Sequence, residues 1–148
     1  MNDILVVDDD SALVEFLIEA LHKQGYLCCG AYDGESAMLA IETARPALIL
    51  IDLHLPGLSG ADVVAQLRRH DLGHVPVVLM TADATAAAQL STTMFPECLI
   101  KPFDLDMLLA CIGRYVHPQQ WHAQSRLQAK LGAREARQTL DSGWLWRA

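Results

Sequence analysis

Four short apolar runs in this chain each end on a residue that carries chemistry, and that coincidence constrains the fold more than any other feature. Residues 4–7 lead into Asp8-Asp9, 47–51 into Asp52, 75–80 into Thr81, and Leu99-Ile100 into Lys101-Pro102. Runs this short and this apolar read as strands buried on both faces, the pattern of a parallel sheet. The carboxyl ends of such strands open onto one crevice, where ligands bind. Carboxylates, a hydroxyl and an ammonium from four distant segments are thereby expected at one point.

The intervening segments carry helical spacing. Leu13, Val14, Leu17, Ile18 and Leu21 form a stripe that ends at Gly25. Residues 26–31 supply a further strand, and Asp33-Gly34-Glu35 opens a helix that closes before Pro46. Ser59 starts the next helix with Asp62 as its capping partner. Residues 82–96, rich in Ala and Thr, predict one short, weak helix and then a loop. A strand over about 98–101 precedes a helix capped by Asp104, which carries Leu105, Leu108, Leu109, Ile112 and Val116 and stops at Pro118. Strands alternating with helices predict an α/β protein.

Charge divides the chain in two. Residues 1–117 hold 16 Asp/Glu against 6 Lys/Arg, a net of −10, whereas 118–148 hold 5 Lys/Arg against 2 Asp/Glu, a net of +3. The first part is expected to be the domain, and its acidity argues against direct nucleic acid binding. The second is expected to be a tail, either a linker or an amphipathic helix between Trp121 and Leu140 interrupted at Gly132. In that helix Leu127 and Leu131 share one face, opposite Arg126, Lys130, Arg134 and Arg137. The residues after 117 are too few for an effector domain, so the chain is read as a stand-alone domain or a piece of a larger protein. No stretch approaches the ~18 apolar residues of a membrane helix. The acidic start Met1-Asn2-Asp3 lacks a secretory signal, so a cytoplasmic location is expected. Cys28, Cys29, Cys98 and Cys111 show no metal-ligand spacing and read as small buried hydrophobes.

The clustered residue types select a chemistry. Three carboxylates at one sheet edge repel one another unless a cation joins them. All-oxygen ligation with room for water and phosphate favours Mg²⁺ over Zn²⁺. Asp52, expected in a loop just past its strand, can act as a carboxylate nucleophile. Lys101 and Thr81 offer an ammonium and a hydroxyl to phosphate oxygens. A cis Lys101–Pro102 bond would turn the chain sharply and aim the lysine inward. Asp10 and Ser11 read as a helix start. With each charged type near ~6% of residues, Asp, Asp, Asp and Lys at four preset positions arise by chance roughly once in 10⁵.

The residues Ile4-Leu5-Val6-Val7-Asp8-Asp9, Asp52-Leu53-His54-Leu55-Pro56-Gly57-Leu58-Ser59-Gly60, Met80-Thr81-Ala82 and Lys101-Pro102-Phe103 resemble, in order and spacing, the four motifs of receiver domains of two-component response regulators. The resemblance covers about residues 2–117. It implies a flavodoxin-like, doubly wound five-stranded parallel sheet of order 2-1-3-4-5. It further implies that Asp52 accepts phosphate from the phosphohistidine of a sensor histidine kinase or phosphotransfer protein. Asp8, Asp9 and Asp52, with the backbone carbonyl of His54, would hold Mg²⁺, and Thr81, Ala82 and Lys101 would hold the phosphate. A conformational change would then pass to a downstream protein or within a homodimer. Such domains carry an aromatic residue or histidine three positions before the lysine as a switch partner of the threonine. Here that position is Cys98, and Met94-Phe95-Pro96-Glu97 replaces the usual small approach to the last strand. The side chains of His54 and Asp83 fall where receivers tune dephosphorylation.

Two rivals stay open from the residues alone. A haloacid-dehalogenase-like phosphatase also uses Asp, Thr or Ser, Lys and Mg²⁺, but places a second acid where this chain has His54. A pseudo-receiver, which binds partners without phosphoryl turnover, gains support from Cys98 and loses it from the presence of every chemical residue.

Overall fold

In the computed structural model, residues 3–90 and 95–118 are described, and strands alternate with helices throughout. In chain order these are β1 (Ile4–Val7), α1 (Ser11–Lys23), β2 (Cys28–Ala31), α2 (Gly34–Ala44) and β3 (Leu48–Asp52). They continue with α3 (Gly60–Arg69), β4 (Val77–Thr81), α4 (Ala84–Leu90), β5 (Glu97–Ile100) and α5 (Leu105–Gly113). The strands pair in parallel in the order β2-β1-β3-β4-β5, the flavodoxin-like arrangement the motifs implied. Chain progression across the sheet reverses between β1 and β3, so the crevice lies between the ends of those two strands.

Period-2 alternation splits the core into two layers. Ile4, Val6, Leu48, Leu50, Val78, Met80 and Leu99 face Val14, Leu17 and Leu21 of α1 and Leu108, Cys111 and Ile112 of α5. Leu5, Val7, Ile49, Ile51, Val77 and Leu79 face Ala37 and Ile41 of α2 and Val63, Val64 and Leu67 of α3. Each fully buried branched side chain contributes about 1.5–3 kcal/mol, which fixes the register of the central strands and so the height of the residues at their ends.

Helix starts follow the sequence closely. The side chains of Asp10, Asp33 and Asp104 accept from the backbone N–H groups of Leu13, Ser36 and Met107 at 3.2, 2.7 and 2.7 Å. Ser59 and Asp62 complete a reciprocal capping box. Before Pro46, α2 closes on Arg45 in a left-handed conformation, φ 46°. The weak helix expected after Thr81 is the seven-residue α4, with Asp83 accepting from Ala86 N–H at 2.9 Å.

Several boundaries move by a residue or two. Asp52 is not in a loop: it is the last residue of β3, in register with Met80. Thr81 closes β4, as expected, opposite Ile100. β4 begins at Val77 because Pro76 has no N–H to give a ladder. β2 begins only at Cys28, since the Leu27 N–H turns to the buried carboxylate of Asp3 at 3.1 Å. β5 starts at Glu97, and α5 stops at Gly113 rather than continuing to Val116. Beyond it the Tyr115 hydroxyl and Arg114 Nε both donate to Glu97, at 3.1 and 3.3 Å, while the Tyr26 hydroxyl donates to the Val116 carbonyl at 3.1 Å. These bonds draw the segment back against β5 and β2.

Chain contacts divide the protein between His117 and Pro118. The expected helix at 121–140, its apolar and basic faces, and Met94 lie outside the described residues. Among the described residues no helix is long and apolar enough to cross a membrane.

Candidate functional site

The ends of β1 and β3 flank the switch point, and the loop after β5 swings a lysine between them. Asp8 follows β1 and is 1% exposed; Asp52 ends β3 and is 8% exposed. The Lys101 ammonium lies 2.5 Å from Asp8 Oδ2 and 3.2 Å from Asp52 Oδ2. The Lys101–Pro102 bond is cis, as anticipated, and Lys101 N–H extends the ladder to the Thr81 carbonyl at 2.9 Å. The second oxygen of each acid is also engaged: Asp8 Oδ1 accepts from Asp10 N–H at 3.0 Å, and Asp52 Oδ1 from His54 N–H at 3.3 Å. Burial works against the lysine's charge, but the hydrogen bonds and charges of Asp8 and Asp52 outweigh it, so its pKa is raised.

Asp9 is exposed beside this pair. One carboxylate oxygen from each of Asp8, Asp9 and Asp52 lies within 4.8 Å of the others. Opposite ligands of a Mg²⁺ ion stand about 4.2 Å apart, so small movements would bring the three acids onto one octahedral ion. The donor set is all carboxylate, which fits a hard cation and not zinc.

Thr81 is fully buried and its hydroxyl accepts from Asp83 N–H at 3.1 Å. Ala82 follows, exposed, at the mouth of the β4–α4 turn. Across that mouth His54 Nε2 stands 3.8 Å from Asp83 Oδ2, both side chains largely solvated. Sequence-predicted Asp8, Asp52 and Lys101 thus meet directly, with Asp9 close beside the acids and Thr81 one strand further on. Cys98 does not join them. It pairs with Leu79, two positions back from Thr81 along the sheet, and its thiol donates to the Ala87 carbonyl of α4 at 3.8 Å. Desolvation pushes that thiol's pKa up, so it stays protonated.

The sequence reading missed two framing residues. A Cβ at Gly60 would sit 2.5 Å from the Asp52 carbonyl oxygen, and one at Gly34 would sit 2.5 Å from both the Cβ and the carbonyl oxygen of Leu58. The only available signal was a glycine in the first turn of each of two helices.

Comparison with known proteins agrees with this geometry. Residues 4–113 match the family model described as response regulator receiver domain. The chain is 47% identical over 109 residues to the DNA-binding response regulator MtrA of Mycolicibacterium paratuberculosis, covering 72% of this chain and 48% of that protein. It is 32% identical over 149 residues to the regulatory protein AtoC of Escherichia coli, covering 99% of this chain but 30% of that protein. It therefore spans less than half the length of either relative. Among solved structures, the response regulator TrrA of Thermotoga maritima, in complex with Mg²⁺ and BeF, superposes with a TM-score of 0.71 at 30% identity, covering 78% of this chain and 100% of that one. The chemotaxis protein CheY4 of Vibrio cholerae matches at 24% identity with a TM-score of 0.71, over 78% of this chain and 99% of that one, a likeness of fold. The chain belongs to the response regulator receiver family.

Proposed function

We propose that this receiver accepts a phosphoryl group on Asp52 from the phosphohistidine of a sensor kinase or phosphotransfer protein and signals by a change of conformation. Residues 1–117 form the signalling domain in this reading, and 118–148 a separate tail. In the transfer, a carboxylate oxygen of Asp52 forms the new P–O bond as the P–N bond to the donor imidazole breaks, and the freed imidazole takes up a proton. Asp8, Asp9, Asp52 and the His54 carbonyl would hold Mg²⁺, which supplies charge neutralisation for the phosphoryl oxygens. Lys101 then exchanges its pairing with Asp52 for a phosphoryl oxygen, while the Thr81 hydroxyl and Ala82 N–H turn to others. The domain is a phosphoacceptor, not a turnover enzyme.

One observation carries the reading: a single ammonium, delivered from the β5–α5 loop, bridges the two buried acids at the sheet's switch point. The test is loading with beryllofluoride or acetyl phosphate. The protein should load only with Mg²⁺ present, and Asp52→Asn should abolish loading while keeping the fold. Undiminished incorporation in Asp52→Asn would refute the assignment, and turnover of generic phosphate esters would favour a phosphatase.

A further inference from the structure

From the close approach of α2 to the β3–α3 loop, we infer that Gly34 is a positioning residue for the Asp52 site. The inference rests on the reading of Asp52 as a Mg²⁺-assisted phosphoryl acceptor. The loop from 53 to 59 leaves β3 at Asp52 and turns at Gly57, whose φ is 73°. Its two ends are tied by Gly60 N–H donating to the Leu53 carbonyl at 2.9 Å, and its start is held by His54 N–H on Asp52 Oδ1. Near its C-terminal end, at Leu58, it is pressed against Gly34, the first residue of α2. A Cβ on Gly34 would lie 2.5 Å from the Leu58 Cβ and 2.5 Å from its carbonyl oxygen, distances that backbone atoms cannot relieve without moving.

Conformation is not the reason for this glycine. Positive φ among glycines is confined to Gly25 and Gly57 in the described residues, so an alanine fits the backbone of Gly34. Helix propensity alone favours alanine over glycine there, and the N-cap bond from Ser36 N–H to Asp33 would be untouched. What the absent side chain provides is space for Leu58. Relieving the overlap to an ordinary contact of about 3.5 Å requires roughly 1 Å of movement, and misplacement of that size can cost up to ~10²-fold in a reaction that depends on aligned groups. The loop that moves is the one carrying the His54 backbone beside Asp52. Through that loop α2 thereby sets the geometry of the acids.

The test compares Gly34→Ala with the parent and with Gly113→Ala, a position where a Cβ meets nothing within 4 Å. Three quantities are read: helicity by circular dichroism, Mg²⁺ affinity by calorimetry without any phosphoryl donor, and amide exchange over residues 53–60 in metal-free protein. Gly34→Ala should keep its helicity, bind Mg²⁺ about ten-fold more weakly and exchange faster in that loop, whereas Gly113→Ala should match the parent. Adding Leu58→Gly, which removes the Cβ and frees the carbonyl to turn away, should restore affinity toward that of Leu58→Gly alone. If Gly34→Ala alone fails to fold, the same pair of Leu58→Gly proteins decides: equal affinities support the inference and an undiminished deficit overturns it. Parent-like Mg²⁺ affinity and loop exchange in Gly34→Ala would also overturn it. A parent that binds Mg²⁺ but never loads beryllofluoride would sink the phosphoryl assignment and leave the loop-positioning result standing.

Discussion

Lys101→Ala isolates what the bridging ammonium does. At 2.5 and 3.2 Å from Asp8 and Asp52, its Coulomb attraction is about 7 and 5 kcal/mol at an effective dielectric constant near 20. Desolvation of the three charged groups offsets most of that. Removing one partner from a fully buried pair costs about 3–5 kcal/mol. The Lys101 side chain is 22% exposed, so the expected loss in metal-free protein is smaller, about 2–4 kcal/mol, or roughly 8–16 °C in Tm for a domain of this size. The loss arises because two buried carboxylates are left facing each other. Mg²⁺ should then reverse it: with no ammonium competing for Asp8 and Asp52, the ion binds more tightly, and at a hundred times its Kd it returns about 2.7 kcal/mol. The assay is urea unfolding at pH 7 in chelator and across a Mg²⁺ titration, with beryllofluoride loading read in parallel. Lys101→Ala should be fragile without metal, largely recovered with it, and unable to hold the phosphoryl analogue. A metal-free stability within about 0.5 kcal/mol of the parent would show that the ammonium is not what holds the acids together.

Two further outcomes follow from the cysteines. Cys98→Ser keeps a donor for the Ala87 carbonyl, so phosphorylation-dependent partner binding or dimerisation should survive it, and a collapse of that binding with loading intact would make the thiol the carrier of the switch. Burial raises Cys28 from 9.0 to about 12 and Cys111 from 9.0 to about 11. A group whose folded pKa is raised contributes fully below its unfolded value and loses that contribution as pH rises, so stability should hold up to about pH 9 and decline above it. Cys111→Ala, followed by chemical unfolding at stepped pH, should flatten that decline; an unchanged slope would mean the thiol is not linked to folding.

Much of the site was legible because it is written in local sequence. Asp8, Asp52, Thr81 and Lys101 each terminate an apolar run, and parallel pairing aligns run ends whatever the intervening helices do. The one-residue shift at Asp52 has a simple cause: apolar character ends before the backbone ladder does, so a polar residue at a strand tip reads as loop. What pattern could not supply is contact across distant segments. The Lys101 ammonium was expected near the acids, but its bridging of Asp8 and Asp52, the burial of Asp3 beneath Leu27 N–H, and the gathering of Arg114 and Tyr115 by Glu97 depend on packing between elements far apart in the chain. Gly34 was visible only as a helix opener, because a clash avoided leaves no trace in composition. Cys98 stood out only as a departure from the family's aromatic residue or histidine, and its contact with the Ala87 carbonyl comes from packing against α4.

The two outer strands of the sheet, β2 and β5, are only four residues each. Both are also poor templates for another chain. β2 reads Cys-Cys-Gly-Ala, with an exposed glycine in place of a β-branched residue, and β5 opens on a glutamate and is followed within two residues by a proline. Unpaired edges recruit strands from neighbouring molecules when they are long, flat and apolar. The apolar inner strands Ile4–Val7, Leu48–Asp52 and Val77–Thr81 are instead enclosed on both sides by paired neighbours. Among the described residues, strand recruitment by this sheet therefore requires opening its centre rather than fraying its margins.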